Sequence, residues 1–528
     1  MGKVKLLDCT LRDGGYINDW FFGEEAIKGI ITKISQTGVE IIEVGFIKGT
    51  SYDPNRSVFP NTACFKNVIG KKADHLTYVG MLDMSAPVAK ESIMPRDSSS
   101  IDGIRVIFKK NKINEAYEYC QYIKKQGYSV FANFVSTDQY SDKEFIEGIE
   151  KFNTLHLDGV AIVDTFGMIK RKQFMRLAAI ADNNLEKNIM LCYHAHNNLQ
   201  QAFGNAEALM DMNLKRDICV DACIFGMGRG AGNLNLELFA EFMNENYNAN
   251  YKIEPMLEIM DEYLAEVYKS KFWGYSLPLY LSAAQKLHPN YAIYLAEKDT
   301  LTVKMFNEIL KSISPEDKIT FSQERAEKYY VQYMENYIDD KNDISRLAND
   351  LTGKRIVMLA PGRSLSEYVD IIKKEINKKN TVTIAVNFIA EQFKPNYIFS
   401  SNMRRFTKIQ GKTEAKYITT SNMKDCEKTD FVVNFSSFSS KKAAIVDNSG
   451  VMLLRLLAHI GVKEVFVAGM DGYSPYLGDN YFDNDLEYDY TKEAELRNVL
   501  ISSEIRDIGQ TMSIKFITPT IYIMKQNN

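Results

Sequence analysis

The first half of the chain alternates short apolar segments with segments of helical periodicity, and this alternation constrains the fold more than any other feature. Stretches such as 145–155 and 174–185 carry apolar residues at helical spacing. Between such stretches lie segments with the β-branched or apolar composition of strands, at residues 5–11, 39–46, 76–82, 104–108, 128–135, 159–164, 189–196 and 218–226. Strands joined by crossover helices form a parallel sheet, so the pattern predicts an α/β fold.

The number of these units predicts the architecture of the sheet. Eight strand–helix units within about 230 residues match a (β/α)8 TIM barrel. An open, doubly wound sheet is the alternative, and the eightfold count favours the barrel. In such a barrel the functional side chains lie at the carboxyl ends of the strands.

The remainder of the chain divides into two further regions. Residues 235–345 are rich in apolar and aromatic residues without a strand pattern, which predicts a helical extension, and the polar stretch 335–355 indicates a linker. Strand patterns return at residues 355–360, 382–388, 397–401, 417–421, 430–435 and 464–469. We therefore predict a barrel at 1–234, a helical extension at 235–345 and a smaller Rossmann-like α/β domain at 346–528.

Composition narrows the class of protein. The 528 residues carry a net charge of −4 without a long basic block, so we expect no nucleic-acid partner. We find no apolar run near the roughly 20 residues of a membrane span, and no signal-peptide pattern at the N-terminus. The seven cysteines are dispersed without a CxxC pair, as expected for reduced thiols in a cytoplasmic protein.

Charged and imidazole side chains follow two of the predicted barrel strands. Arg12 and Asp13 follow the first strand, and His194 and His196 end the seventh as "YHAHNN". Residues i and i+2 of a strand point to the same side, so both imidazoles can reach one point. Arg-Asp-Gly-Gly alone is also good turn chemistry. Two imidazoles and a carboxylate at one barrel rim indicate a site for a divalent ion, and Asn233 in the glycine-rich segment after the eighth strand can supply a further oxygen.

Five motifs carry a specific resemblance. "DCTLRDGG", "IEVGF", "VDTFG", "YHAHNN" and "GMGRGAGN" resemble, in order and spacing, the motifs of the DRE-TIM metallolyase superfamily across about residues 4–240. That superfamily includes 4-hydroxy-2-oxovalerate aldolase, hydroxymethylglutaryl-CoA lyase, isopropylmalate synthase and homocitrate synthase. The resemblance implies that Asp13, His194 and His196 bind the metal, that Asn233 is a fourth ligand, and that Arg12 stabilises an enolate oxygen.

The acid/base residue is where the sequence departs from this resemblance. The aldolase branch has a histidine three residues after the metal-binding aspartate, where this chain has Tyr16. Tyr16 either relays a proton or lines the pocket. His288 and Tyr291, in the "HPNY" segment of the helical extension, are the other candidates, because these aldolases bring a tyrosine from a comparable region. His288 could equally be an exposed helix-capping residue.

Three further residues are predicted to line the substrate site. Glu43 matches an acidic residue near the metal in relatives, although a structural ion pair is the alternative. Arg105 in the fourth strand could bind a carboxylate. Thr165 in "VDTFG" occupies a position that commonly contacts substrate in this superfamily.

The C-terminal region shows a weaker pattern. "RIVMLAPGRSLSEYVDII" predicts a strand, a turn and a helix, where Gly362, Arg363 and Ser364 could bind phosphate. Asp471 follows a later strand. Residues 353–475 resemble the Rossmann-like domains of bacterial sialyltransferases and of a phosphoryl-transferring group that acts on a pterin alcohol. This implies a nucleotide or nucleotide-sugar site, either active or serving only binding and scaffolding.

Together these features predict a metal-dependent aldolase or lyase. We expect it to make or break a carbon–carbon bond beside a 2-oxo acid, with an aldehyde partner and Mn²⁺ or Mg²⁺ (alternatively Co²⁺ or Zn²⁺). The resemblance also implies a homodimer, and the domain combination suits bacterial surface-sugar biosynthesis. The alternatives are an acyl-CoA-dependent Claisen condensing enzyme and a metal-retaining barrel that acts as a scaffold for the C-terminal domain.

Overall fold

The chain forms two compact units. The computed structural model describes residues 2–298, 301–424 and 426–522. Unit 1 comprises Met1–Ala292 and unit 2 comprises Ile293–Asn528. The division lies within the predicted helical extension, and the boundaries drawn at residues 234 and 345 stay predictions.

Unit 1 contains a closed barrel of eight parallel strands. They are β1 (Val4–Asp8), β2 (Ile41–Ile47), β3 (Thr77–Asp83), β4 (Gly103–Phe108), β5 (Ser129–Phe134), β6 (Gly159–Asp164), β7 (Met190–Ala195) and β8 (Ile218–Ala222). Each strand pairs with the next, and β1 pairs with both β2 and β8, which closes the sheet. A two-residue strand, Val58–Phe59, adds to β2. The predicted TIM barrel is confirmed, and the open-sheet alternative is wrong because β1 and β8 leave no edge.

Helices cover the outside of this barrel. They are Glu24–Thr37, Lys66–Ile69, Ile113–Lys125, Asp142–Asn153, Arg171–Asn184, Ala202–Asp211 and Leu236–Tyr247. Glu24–Thr37 shows why they pack: Ile27, Ile30, Ile31 and Ile34 recur at helical spacing and are all buried. The chain continues through Glu254–Ile259, a π-helical turn at Met260–Leu264, Ala265–Ser270, Leu277–Ala284 and Pro289–Glu297.

Two barrel strands end earlier than predicted. β1 stops at Asp8 rather than at residue 11, because the amides of Arg12 and Asp13 both donate to the Cys9 carbonyl and close a turn. β8 stops at Ala222, and a 3-10 turn follows at Ile224–Gly226. Arg12 and Asp13 are therefore fixed by a turn at the carboxyl end of β1.

Unit 2 contains an open, fully parallel sheet of seven strands. They are β9 (Arg355–Leu359), β10 (Thr381–Val386), β11 (Tyr397–Ser400), β12 (Lys416–Thr420), β13 (Phe431–Val433), β14 (Glu464–Ala468) and β15 (Ser513–Phe516). Their order across the sheet is β13-β12-β11-β10-β9-β14-β15, so the order reverses at β9. The Rossmann-like prediction is confirmed, whereas β15, a short edge strand of alternating polar and apolar residues, was not predicted.

The helices of unit 2 lie before and between these strands. They are Val303–Ser312, Gln323–Met334, Lys341–Leu351, Ser364–Glu367, Val369–Ile376, Met403–Ile409, Phe435–Phe438, Ser449–His459 and Ala494–Ile508. Among the described residues of the whole chain, no helix combines the length and apolar character needed to span a bilayer.

Candidate metal centre

Three of the predicted ligands meet at the carboxyl end of the barrel. One carboxylate oxygen of Asp13 and one ring nitrogen each of His194 and His196 all lie within 4.8 Å of one another. Nε2 of His196 lies 3.1 Å from Asp13 Oδ2, and Nε2 of His194 lies 3.9 Å from Asp13 Oδ1. All three side chains are buried. Two imidazoles and a carboxylate converging in this way could hold a divalent metal ion.

Asn233 completes the wall of this cluster. Its Nδ2 donates to Asp13 Oδ2 over 2.6 Å and to the Met227 carbonyl over 3.0 Å. Its Oδ1 is buried and accepts no hydrogen bond from any described residue. A Cβ on Gly228 would lie 1.9 Å from Asn233 Nδ2. Only glycine at position 228 therefore lets this loop close on the site, and the orphaned amide oxygen suits a ligand that the protein itself does not supply.

A buried charge network supports the cluster from below. The guanidinium of Arg12 donates from Nε to Glu43 Oε2 over 2.5 Å and from Nη1 to Asp13. Arg105 bridges Glu43, at 3.2 Å, and Asp221. Asp221 in turn lies 3.1 Å from Nδ1 of His194. A carboxylate on Nδ1 orients the imidazole and leaves Nε2 facing Asp13, as in the outer shell of metal sites.

The environment of each ligand sets its protonation. Burial raises the pKa of Asp13, but the charges of Arg12 and His196 outweigh burial and hold that pKa well below its usual value. Burial lowers the pKa of His194 against the opposing hydrogen bond to Asp221. The carboxylate is thus ionised and the His194 imidazole neutral, which are the states that ligate metals.

The predicted substrate-binding residues occupy different depths. Glu43 and Arg105 are 0% and 1% exposed and hold each other and Arg12 in place, so the structural ion pair considered for Glu43 is present. Thr165 is half-buried, and its hydroxyl accepts the Ser136 amide over 2.7 Å. Substrate contact by these three residues stays a prediction.

Two of the acid/base candidates, Tyr16 and His288, lie close to Arg229. The guanidinium of Arg229 lies 5.7 Å from the ring centroid of Tyr16, and its Nη2 lies 2.9 Å from Nε2 of His288. Tyr16 is 38% exposed, and partial burial of its ring together with the charge of Asp13 raises its pKa to about 12. Burial and the charges of Arg229 and Lys109 lower the pKa of His288 to about 3. Near neutral pH Tyr16 therefore keeps its proton and His288 is uncharged.

Tyr291 and His288 differ in exposure. Tyr291 is 0% exposed, whereas His288 is half-buried and packs edge-on against Phe166 at 5.2 Å between ring centroids. The structure thus brings His288 to Arg229 and buries Tyr291 completely. Their catalytic roles stay predictions.

The turn at Gly362–Ser364, predicted to bind phosphate, donates its hydrogen bonds to a carboxylate of the protein. The Ser364 amide donates to Asp471 Oδ2 over 2.8 Å, and the Ser364 hydroxyl also donates to this carboxylate. Arg363 pairs with Asp479 at 2.6 Å. A Cβ on Gly362 would lie 2.4 Å from the Gly469 carbonyl, so glycine is needed there for close approach. The turn already holds a carboxylate of its own chain.

Three supporting residues were not singled out from the sequence. Asp221 holds His194 and Arg105, Arg229 joins Tyr16 to His288, and Trp20 donates from Nε1 to the Arg12 carbonyl over 2.7 Å. Asp221 had a usable signal, because it is the one charged residue within the otherwise apolar strand Ile218–Ala222. The contacts of Arg229 and Trp20 depend on loop geometry that spacing does not reveal.

Part of this chain is similar to known proteins. Residues 103–261 match the family model HMGL-like. The 4-hydroxy-2-oxovalerate aldolase of Roseiflexus castenholzii is 22% identical over 246 residues, which cover 46% of this chain and 71% of that protein. The enzyme of that name from Thermomicrobium roseum is 27% identical over 248 residues, covering 46% and 67% of the two chains.

Solved structures are similar over more than half of the chain. The N-terminal domain of a Bacteroides vulgatus protein, provisionally described as an aldolase, is 23% identical and covers 58% of this chain and 100% of its own, with a TM-score of 0.48. The HMG-CoA lyase of Bacillus subtilis is 16% identical, covers 52% and 95% of the two chains, and has a TM-score of 0.42. The family match itself is confined to residues 103–261, within unit 1.

Proposed function

We propose that the barrel is a divalent-metal-dependent aldolase or lyase that makes or breaks a carbon–carbon bond beside a 2-oxo acid. The observation that carries this proposal is the buried cluster of Asp13, His194 and His196 at the carboxyl end of the barrel. The aldolase names of the relatives support the same reaction class.

The charge balance around the cluster favours a cation. Three carboxylates, Asp13, Glu43 and Asp221, face two guanidiniums, Arg12 and Arg105. In this buried network the three carboxylates outnumber the two guanidiniums. A bound Mn²⁺ or Mg²⁺ would polarise a substrate carbonyl as a Lewis acid. Its ligands would be Asp13, His194, His196 and the amide oxygen of Asn233.

Arg12 is positioned to stabilise negative charge on the substrate. Its Nε and Nη1 are engaged by Glu43 and Asp13, whereas Nη2 donates to no described residue. We assign Nη2 to the keto oxygen, on which charge develops when the adjacent carbon–carbon bond breaks. A guanidinium fixed in advance by two carboxylates needs no reorganisation as that charge appears.

Tyr16 is our candidate for proton donation. Its raised pKa of about 12 keeps the phenol protonated, so it suits delivery of a proton better than abstraction. Arg229 lies beside the ring of Tyr16 and also contacts His288. Through this arginine, the loop after β8 and the segment around His288 influence the position of the Tyr16 hydroxyl.

The specific reaction that we favour is an aldol cleavage or condensation between a 2-oxo acid and an aldehyde. An acyl-CoA-dependent Claisen condensation and a scaffold role are the competing functions. The cytoplasmic location, the homodimer and the role in surface-sugar biosynthesis also stay predictions.

Exchange of substrate protons tests enolate chemistry directly. The full chain is incubated with pyruvate and Mn²⁺ in D2O, and loss of the methyl proton signal is followed by NMR. We expect exchange that EDTA abolishes and that Arg12→Ala slows by about 10²- to 10³-fold, because a preorganised charge-stabilising donor contributes that much. Exposed Arg56, paired with Asp19 outside the network, gives the control Arg56→Ala, which should exchange at the unaltered rate.

The alternatives give different outcomes. Thiol release that requires an acyl-CoA would favour the condensing enzyme. Metal-loaded protein that catalyses no exchange with pyruvate or any other 2-oxo acid tested, and no thiol release, would support the scaffold instead.

A further inference from the structure

A second pocket lies at the carboxyl edge of the open sheet in unit 2. Gly362 follows β9, Asn387 follows β10 and Gly469 follows β14, and all three residues line it. The strand order reverses at β9, so this pocket sits at the topological switch point of the sheet. Crevices at that position are where open parallel sheets bind their ligands.

Arg405 is a buried cation in the lining of this pocket. The residue is only 7% exposed, yet no carboxylate of the described residues lies within ion-pair distance of its guanidinium. Its Nη2 donates to the Leu486 carbonyl, and its buried Nε donates to no described residue. The guanidinium lies 4.4 Å from the ring centroid of Tyr488 and 5.0 Å from that of Tyr481. A buried cation without a counter-charge is costly, so this arrangement indicates an anionic ligand.

The two carboxylates that line the same pocket accept hydrogen bonds from neutral groups of the protein. Asp447 accepts the hydroxyl of Tyr330 over 2.9 Å, and Asp471 accepts the amide and hydroxyl of Ser364. Arg497, the second guanidinium of the lining, pairs with Glu493 at 3.0 Å. Of the two guanidiniums in the lining, Arg405 is the one without an ion-pair partner among the described residues.

A helix begins at the same pocket. Ser449–His459 is 11 residues long, and Ser449 and Gly450 at its start line the pocket. Asn448 caps it by accepting the Val451 amide over 3.0 Å. The first amides of a helix carry partial positive charge and bind phosphate oxygens. Arg405 and this helix start thus offer donors to the same anion from two elements.

Aromatic rings provide the other walls. Tyr473 and Tyr490 pack edge-to-face at 5.2 Å between centroids, and Tyr481, Tyr488 and Tyr522 also line the pocket. A cluster of ring faces beside an anion anchor suits an organic molecule with a planar ring better than a bare ion.

We propose that this pocket binds a small phosphate-bearing molecule of the nucleotide class, with Arg405 and the start of helix Ser449–His459 holding its phosphate. A tetrahedral phosphate offers several oxygens to donors on different elements, and a guanidinium can bind two of them at once. This places the anion away from the Gly362–Ser364 turn that the sequence indicated, because Asp471 already occupies the Ser364 amide.

Calorimetric titration of the full chain tests the proposal. The probes are pyrophosphate, the 5′-mono- and diphosphates of the common nucleosides, and acetate at matched ionic strength. We expect at least one nucleotide to bind more tightly than pyrophosphate and acetate not to bind. Arg405→Gln should weaken nucleotide binding at least tenfold. The matched control is Arg404→Gln, because Arg404 is an exposed arginine on the same helix that does not line this pocket.

A second variant covers the case in which Arg405→Gln fails to fold. Asn448→Asp keeps an oxygen for the Val451 amide, and aspartate is as good a helix cap as asparagine, so this variant should fold. It adds a negative charge at the pocket and should also weaken nucleotide binding at least tenfold. Absence of nucleotide binding at millimolar concentration, equal binding of acetate, or unchanged affinity in Asn448→Asp would each overturn the proposal.

Discussion

The buried arginines at the carboxyl edges of the two sheets differ in their ion-pair partners. At the carboxyl edge of the barrel, Arg12 and Arg105 are each held by two carboxylates, and the carboxylates outnumber the guanidiniums. At the corresponding edge of the open sheet, Arg405 is buried with no carboxylate of the described residues within ion-pair distance. We therefore propose a cation as the ligand of the first edge and an anion as the ligand of the second.

This difference teaches how far a parallel sheet determines chemistry. Both edges gather loop residues at one place, because all strands of each sheet run in the same direction. The sheet fixes where a ligand binds, whereas the sign of the uncompensated charge indicates what binds. Two sites of opposite ligand charge can therefore be built on related strand arrangements.

The largest effect is expected from removing a member of the metal cluster. Asp13→Ala and His194→Ala should each lose bound Mn²⁺ and essentially all exchange activity, because each change removes one of the charged or imidazole ligands that compete with water for the ion. Metal content after gel filtration, measured by mass spectrometry, checks this. His156→Ala is the matched control, since the His156 side chain is 73% exposed and pairs with Glu186, outside the metal cluster. Full metal content in His194→Ala would refute the assignment of the ligands.

One pair of variants tests whether the buried arginines Arg105 and Arg405 differ in how their charges are compensated. Arg105→Met leaves Glu43 and Asp221 buried without this partner, which should destabilise unit 1 by about 3–5 kcal/mol. Arg405→Met removes a cation that has no carboxylate partner among the described residues, so in the absence of phosphate its stability should change by less than about 1 kcal/mol. Urea unfolding followed separately in each variant measures both changes. Equal losses would show that the two buried guanidiniums are not differently compensated.

Removing the charge of Asp221 is expected to have a smaller effect, and it tests whether this carboxylate tunes the metal site. Asp221→Asn keeps the shape but removes the charge beside Nδ1 of His194, and loss of such a supporting carboxylate typically lowers metal affinity about 10- to 100-fold. Titration with Mn²⁺ followed by paramagnetic resonance gives the affinity. Asp211→Asn serves as control, because Asp211 is 62% exposed on the outer helix Ala202–Asp211. An affinity that Asp221→Asn leaves unaltered would show that the network does not tune the ligand.

The sequence allowed more to be predicted for the barrel than for the open sheet. Periodicity gave the eight barrel strands, and the position of Asp13, His194 and His196 after strands placed them at one rim. The carboxyl ends of parallel strands must meet, so that inference needed no side-chain geometry. Asp221 and Arg229 were missed because their roles depend on which neighbour each side chain contacts.

The anion pocket of unit 2 shows the limit of local sequence patterns. The Gly362–Ser364 turn has the composition of a phosphate loop, but Asp471, 107 residues away, occupies its amide. Arg405 drew no attention in the sequence, because an arginine in a short helix is normally exposed. Only the fold reveals that this arginine is buried and that the first turn of helix Ser449–His459 lines the same pocket.

The smallest effect concerns a barrel acid that is neutralised by burial instead of by a cation. Burial raises the pKa of Asp8 to about 7 against opposing hydrogen bonds from Thr10, so the folded protein holds a proton that the unfolded chain releases near pH 4. Stability therefore falls as pH rises from about 4 to 7, by at most about 1.4 kcal/mol per pH unit from this group. Asp8→Asn removes this contribution while keeping an oxygen for the Thr10 hydroxyl. In EDTA, the variant should gain stability relative to the wild type between pH 5 and 7, and urea unfolding at both values measures that gain. A stability difference that is constant with pH would show that burial does not raise the pKa of Asp8, and Asp8 would then be a buried carboxylate without a cation partner among the described residues.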